Sequence, residues 1–248
     1  MDIPFFYEPS LAASSSLVSL NEETSKHCIQ VLRMKKGEMI CLTNGKGLTA
    51  DAVLQSDHKK HATVLIQNVQ IVQAEKRKIF IGISILKNNS RFEWFLEKAT
   101  EIGVTEIIPI IAKRTERTHF RFERMQSILI AAMLQSKQAW LPLLHEPTGF
   151  EDVVKLNLQA RKLLCHCSDT CRKELSEMQF ENEVQILVGP EGDFAPEEIQ
   201  LALSLNYLPV ALGKTRLRTE TAGIVAVALV RNGKCEQDEK EKVNSVGD

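Results

Sequence analysis

Ile186-Leu187-Val188-Gly189-Pro190-Glu191-Gly192-Asp193-Phe194-Ala195-Pro196-Glu197-Glu198-Ile199 is the stretch on which the fold turns. Its first three residues end an apolar run from Val184 and read as a buried strand. Gly-Pro-Glu-Gly cannot extend that strand, and Pro196 suits the first turn of a helix, where its missing N–H would have no partner anyway. Strand, tight turn and helix form the repeating unit of an α/β sheet, and such sheets bind ligands outside the carboxyl ends of their strands. Gly189 and Gly192 would let backbone groups approach a planar ligand closely. A plain βα turn accounts for the same residues.

Downstream lies Ala211-Leu212-Gly213-Lys214-Thr215-Arg216-Leu217-Arg218-Thr219-Glu220-Thr221-Ala222-Gly223. The run Ile224 to Val230 follows, apolar all round and so expected to be buried against the sheet or a partner subunit. Thr219 and Glu220 suit a helix start as cap and dipole partner. Arg218 does not, because a cation at the positive end of a helix is unfavourable, so it points to an anionic or polar ligand. Upstream, apolar strands at Ile79 to Leu86, Ile107 to Ile111 and Lys162 to Cys167, with Val184 to Val188 and Leu208 to Leu212, alternate with helical segments, the grammar of a largely parallel buried sheet. One predicted helix is Arg91 to Ile102, with Ser90 and Glu93 as capping box, Phe92, Phe95, Leu96, Ala99 and Ile102 as its stripe, and Gly103 as its stop. Another runs from Phe122 to Gln138, with Met125, Ile128, Leu129, Ala132 and Met133 inward.

Before Val72 the pattern is short and β-like: Met39 to Thr43, the turn Asn44-Gly45-Lys46-Gly47, Thr49 to Gln55 and Ala62 to Val72. Asn44-Gly45 suits a tight hairpin because both residues accept positive φ. His27 to Met34 reads as a short helix ending in a basic group beside Lys35 and Lys36, either a hydrophobic anchor with solvated charges or part of a backbone-binding surface.

The chain has 248 residues and a formal net charge of −1, with 44% hydrophobic residues. Its length fits one or two domains. Near-neutrality excludes a uniformly basic nucleic-acid coat, and nothing resembles a membrane span or a secretion signal. The charge is uneven, however: residues 74 to 126 carry 11 basic and 7 acidic groups, densest from Lys113 to Arg124. Arginines interleaved with Phe120 and Phe122 there could hold phosphates and stack bases, or form a solvated loop before a helix. Six cysteines do not make a disulfide scaffold in a chain this long, so reduced thiols in a cytoplasm are expected. The cluster Cys165-His166-Cys167 with Cys171 lacks the second pair that structural zinc uses, and no metal is expected. Among the twelve glycines the only pair two apart is Gly45 and Gly47, inside the hairpin, so a dinucleotide fingerprint is absent. Gly213-Lys214-Thr215 mimics the end of a phosphate-binding loop, but Leu208 stands where the first glycine belongs. Lys234 to Asp248, with 8 charged residues of 15, reads as a frayed tail.

Gly189-Pro190-Glu191-Gly192, Leu212-Gly213 and Leu217-Arg218-Thr219-Glu220-Thr221 together resemble the RsmE family of SPOUT methyltransferases, the 16S rRNA (uracil-1498-N3) methyltransferases. The likeness extends to Val31-Leu32-Arg33-Met34, to Lys98-Ala99-Thr100-Glu101-Ile102-Gly103-Val104, and to Ala131-Ala132 with Gln135-Ser136. The resemblance implies a PUA-like, RNA-binding β-barrel over residues 1–72 and an α/β SPOUT methyltransferase domain over 73–235. That second domain would be tied at its carboxyl end in a trefoil knot, with 236–248 as a disordered tail. It also implies a cytoplasmic homodimer that binds S-adenosylmethionine and acts on 16S rRNA or the small ribosomal subunit.

Carried over by motif, the cofactor pocket comprises Leu164, Cys165 and His166, then Leu187, Gly189, Pro190, Glu191 and Gly192. It closes with Leu212, Gly213, Leu217, Arg218, Thr219, Thr221 and Ala222. The family often has Gly where this chain has Asp193, and a Ser cap where it has Ala195. Methylation of uracil N3 requires loss of a proton, which a base or a cation stabilising the uracil anion can promote. Arg218 is the expected cation and Glu220 the base or positioning carboxylate. Arg33, Lys35, Lys36, Arg114, Arg117 and Arg121 are the expected RNA contacts. The alternatives are a SPOUT methyltransferase acting on another rRNA or tRNA base, and a non-catalytic RNA-binding assembly protein.

Overall fold

The computed structural model describes residues 3–156, 159–166 and 173–234. The expected tail, and Cys167 and Cys171 of the cysteine cluster, lie outside the described residues. The chain divides into two compact units, Met1–Ala74 with Ile130–Leu141, and Glu75–Leu129 with Pro142–Asp248.

The first unit is built on β1 (Phe5–Tyr7), β2 (Leu17–Ser19), α1 (Glu22–Lys26), β3 (Met39–Thr43), β4 (Leu48–Ser56) and β5 (Thr63–Ile71). The strands form one sheet in the order β1-β3-β4-β5-β2, antiparallel except for the β1–β3 pair. Two register shifts between β4 and β5, at Asp51/Ala52 and Leu54/Ser56, bend the ladder. Alternation along β4 turns Leu48, Ala50, Ala52 and Leu54 into a core with Ile40, Leu42 and Val64. The hairpin differs from the expected one: positive φ falls on Gly45 (69°) and Gly47 (87°), while the Asn44 side chain accepts from the amides of Lys46 and Leu48. The helix expected at His27 to Met34 begins earlier, because Asn21 caps Thr24 N–H, and its continuation His27–Val31 is a π-helical turn. That turn buries Cys28, whose thiol is pushed up to about 11 by burial.

The second unit contains β6 (Lys78–Ser84), α2 (Asn89–Ile102), β7 (Glu106–Ile111), the start of α3 (Phe122–Gln135), whose residues from Ile130 onward belong to the first unit, β8 (Leu143–Leu144), β9 (Thr148–Gly149) and α4 (Phe150–Val154). It continues with β10 (Arg161–Cys165), β11 (Lys173–Glu174), β12 (Glu183–Val188), α5 (Pro196–Ser204), β13 (Leu208–Ala211) and α6 (Thr219–Asn232). Its sheet runs β11-β13-β10-β12-β6-β7-β8, and every pairing is parallel. The expected strands are all present within a few residues of their sequence-read ends.

Helix α2 starts at Asn88, whose Oδ1 accepts from Ser90 N–H at 2.9 Å, and not at a Ser90/Glu93 capping box. Glu93 is instead held by Arg124. Gly103 ends α2 as expected, at φ 94°. Helix α3 stops three residues short of Gln138, and Lys137 beyond it takes φ 55°. Helices α2 and α6 lie side by side and parallel. Gly223 of α6 faces Phe95, Arg91 meets Glu220 at the amino ends, and Arg231 donates to the carbonyl of Gly103 at the carboxyl ends. One face of α6 is buried through Gly223, Ala226, Val227 and Val230, while Ile224, Val225, Ala228 and Leu229 on the other are half-exposed.

Candidate functional site

At the carboxyl ends of β10, β12 and β13 lies a cavity of about 290 Å³. One wall is Cys165 and His166, the second Val188–Glu191 with Asp193, and the third Val210–Gly213 and Thr215–Thr219, with Ala222 on α6. Local chemistry fixes each wall. After Gly-Pro breaks β12, Asp193 N–H closes a turn on the carbonyl of Pro190 at 2.9 Å. Asp193 takes φ 64°, and its Oδ1 accepts from Phe194 N–H at 2.8 Å. Glu198 then reaches back to Ala195 N–H at 2.8 Å while its other oxygen accepts from Lys113 N–H at 2.9 Å, supplying half of a capping box where Ala195 has no hydroxyl.

The third wall is tied to the second. Thr219 Oγ1 donates to the buried carbonyl of Gly189 at 3.0 Å, and Arg216 donates to Glu191 O at 3.2 Å. From the other side, Arg114 donates to Gly192 O at 2.5 Å. Gly213 has φ 115°, a conformation that side-chain-bearing residues rarely adopt, and a Cβ at Gly189 would stand 3.1 Å from the Phe194 ring.

Of the residues expected in the cofactor pocket, Cys165, His166, Gly189, Pro190, Glu191, Leu212, Gly213, Leu217, Arg218, Thr219 and Ala222 line this cavity. Leu164 and Leu187 are fully buried, paired across β10 and β12 beneath it. Gly192 sits against Arg114, and Thr221 is half-buried outside the lining. Glu220 also lies off the cavity, 6% exposed, with Oε1 at 3.6 Å from Arg91 Nε and Oε2 without a hydrogen-bond partner. Arg218 is exposed at the first turn of α6 and caps nothing with its side chain. Asp193, Val210 and Ala211 line the cavity without having been expected there. The two strand residues carry no signal beyond their place at the end of β13, whereas Asp193 directly follows a glycine turn.

The expected RNA contacts fall in both units. In the first, Arg33 (φ 57°), Lys35 and Lys36 are exposed beside the exposed Val31 and Leu32. In the second, Arg114 and Arg121 are exposed, and Arg117 is half-buried and donates to Lys87 O at 3.4 Å. Phe120 is packed edge-on against Phe92 and Phe122, so it is a support for this segment as well as a ring near it. Arg124 grips Glu93 through two hydrogen bonds of 2.5 and 2.8 Å and holds its carboxyl below the usual carboxylate range. Among the described residues no group of three His, Cys, Asp or Glu could hold a metal, and no helix is long and apolar enough to cross a membrane.

A parallel α/β unit with a loop-walled cavity, preceded by a small antiparallel β unit, is the architecture of a class of RNA methyltransferases. Residues 73–231 match the family model described as RNA methyltransferase domain, and residues 20–67 match one described as RNA methyltransferase PUA domain. A probable rRNA methyltransferase from Porphyromonas gingivalis is 36% identical with a TM-score of 0.84, over 91% of this chain and 95% of that one. A ribosomal RNA small subunit methyltransferase E from Neisseria gonorrhoeae, solved bound to S-adenosyl methionine, is 30% identical with a TM-score of 0.83, over 92% and 96%. A curated relative of that same name from Rickettsia conorii is 27% identical over 91% of this chain and 93% of its own length. The chain belongs to the ribosomal RNA small subunit methyltransferase E family, with its α/β SPOUT domain and PUA-like N-terminal domain.

Proposed function

We propose that this chain methylates N3 of one uridine, conventional position 1498, in the 16S rRNA of the small ribosomal subunit, with S-adenosylmethionine as donor. The observation that carries the reading is the cavity at the carboxyl ends of β10, β12 and β13, in a chain of this family. The lining fits the donor's chemistry. Val188, Val210, Ala211, Leu212 and Leu217 offer apolar surface to a purine, the turns at Gly189 and Gly213 bring bare backbone to its edge, and Glu191 and Asp193 offer carboxylates to hydroxyl and ammonium groups. When bound, the cofactor supplies a methyl group on a positively charged sulfur.

The chain's own residues then have three tasks. Thr219, bonded to Gly189 O, keeps the walls in register, so that donor and acceptor can be held in line. Arg218, exposed at the rim and at the amino end of α6, stabilises the uracil anion formed when N3 gives up its proton. Glu220, buried against Arg91, is the positioning carboxylate for that first helical turn. N3 lies on the Watson–Crick edge, so the target base must be unpaired or extruded. Arg33, Lys35 and Lys36 on the PUA-like unit, with Arg114, Arg117 and Arg121, hold the RNA backbone. The half-exposed apolar face of α6 supports a homodimer, and the expected setting is the cytoplasm.

Mapping methylated nucleotides in rRNA from a deletion strain, with and without the gene restored, tests the reading. Loss and return of a single N3-methyluridine in the small-subunit RNA is expected. A modification lost at another base, or in tRNA, would overturn the assignment in favour of a different SPOUT activity. An unchanged rRNA and tRNA pattern, together with no binding of S-adenosylmethionine, would favour a non-catalytic assembly protein.

A further inference from the structure

We infer that Asp193 makes the cavity discriminate between the charged methyl donor and its uncharged product, holding S-adenosylmethionine more tightly than S-adenosylhomocysteine. The inference rests on the cofactor reading above.

Asp193 is an acid on the cavity wall in an expensive place. It holds φ 64°, a left-handed conformation that glycine would adopt with less strain, in a turn that already contains two glycines. Two hydrogen bonds hold its turn, and a histidine stands near its carboxylate. Its amide donates to Pro190 O at 2.9 Å, its Oδ1 accepts from Phe194 N–H at 2.8 Å, and its Oδ2 lies 3.8 Å from His166 Nδ1 on the opposite loop. The carboxylate is thereby fixed at the junction of the β10 and β12 loops, three-quarters buried, in a wall of the cavity. Backbone strain held by surrounding contacts beside a ligand cavity points to a task for the side chain.

The reaction defines the task. The N3 lone pair, freed as its proton passes to solvent, would form the new C–N bond as the donor's C–S bond breaks, with the electron pair of that bond staying on sulfur. The donor's sulfonium charge is thus absent from the thioether product, while the amino, carboxylate, ribose and adenine groups are common to both. A charge on the wall acts on the shared groups of both ligands alike, so the ratio of their affinities reports its action on the sulfonium. Asp193 is part of the cavity lining, so its charge would act on a sulfonium held there. At separations of up to about 8 Å, and at an effective dielectric of about 20, opposite unit charges attract strongly enough to change a binding constant about tenfold or more. Arg216 and Arg218 line the cavity from the β13 side and repel a sulfonium, so Glu191 and Asp193 are the acids that offset them.

Isothermal titration of S-adenosylmethionine and S-adenosylhomocysteine into the full chain, wild type and Asp193→Asn, tests this. Asn tolerates left-handed backbone and can still accept from Phe194 N–H, so it removes the charge and keeps the turn. The ratio of the two dissociation constants is expected to move about tenfold toward the product in the variant, mainly through weaker donor binding. An unchanged ratio with both ligands still bound would overturn the inference and leave the cofactor reading standing. Failure of the wild type to bind either ligand would overturn both. Should Asp193→Asn not fold, Asp193→Gly, which also loses the charge and is at ease at this φ, carries the same expectation.

Discussion

Replacing Thr219 with Val tests whether the first turn of α6 and the Gly189 turn are one rigid element. The two side chains are nearly isosteric, so the change deletes one donor and little else. The hydroxyl donates to the carbonyl of Gly189 at 3.0 Å, and Thr219 is 6% exposed, so neither partner can turn to water when the bond is lost. A buried acceptor left without its partner costs about 1–3 kcal/mol. For a chain of this size each kcal/mol lowers the unfolding midpoint by about 2–4 °C, so the variant should melt about 2–12 °C below wild type. The same bond spans two walls of the cavity, so affinity for S-adenosylmethionine should fall as well. Thr219→Ser keeps the hydroxyl and loses a methyl group, so it should retain most of the affinity. Thermal unfolding with cofactor titration on the three proteins decides the matter. A Val variant with wild-type melting and wild-type affinity would show that the bond holds nothing in place.

Two further outcomes follow from packing and charge. A Cβ at Gly223 would stand 2.7 Å from Phe95 Cε2 and 2.9 Å from Ile83 Cδ1, so Gly223→Ala should overpack the α2–α6 contact by about 1–3 kcal/mol. Because alanine itself favours helix by about 1 kcal/mol, a denaturant melt showing net stabilisation would refute the close approach. Glu93 is held below the usual carboxylate range chiefly by its hydrogen bond to Arg124. A depressed carboxyl contributes stability above its unfolded value, near 4.3, and that contribution is lost as pH falls through the lower folded value. Arg124→Gln should therefore be less stable than wild type at neutral pH and converge on it in acid; a gap independent of pH from 7 to 3 would exclude the ion pair as its source.

The parallel sheet is legible because its strands are runs of β-branched and aliphatic residues too short to be helices, such as Val184 to Val188 and Ile107 to Ile111. Helix α2 is legible through its stripe and Gly103. Its start is less so: Asn88, Ser90 and Glu93 all suit a cap, and only the position of Arg124, thirty-one residues from Glu93, settles which of them serves. Strands of two or three residues, such as β1, β2, β8, β9 and β11, leave no periodicity to read. At the site, glycine and proline mark the turns at Gly189–Gly192 and Leu212–Gly213, whose lining role follows from backbone demands. Val210 and Ala211 look like any strand residues, and Glu220 looks like a rim acid until the parallel packing of α2 and α6 turns it toward Arg91. Long-range placement decides these cases, and one-dimensional pattern does not carry it.

Residues Ile130–Leu141 belong with the N-terminal β unit although fifty-five residues separate them from Ala74. Leu141 N–H bonds Gly45 O, Trp140 Nε1 bonds Val72 O, and Thr43 Oγ1 reaches Ala139 O. On a translating ribosome the five-stranded sheet therefore emerges without the segment that covers its hairpin, and waits for nearly seventy more residues to be synthesised. The small unit cannot be completed first and handed on as a finished module, and its maturation is tied to the passage of the chain through β6, α2 and β7.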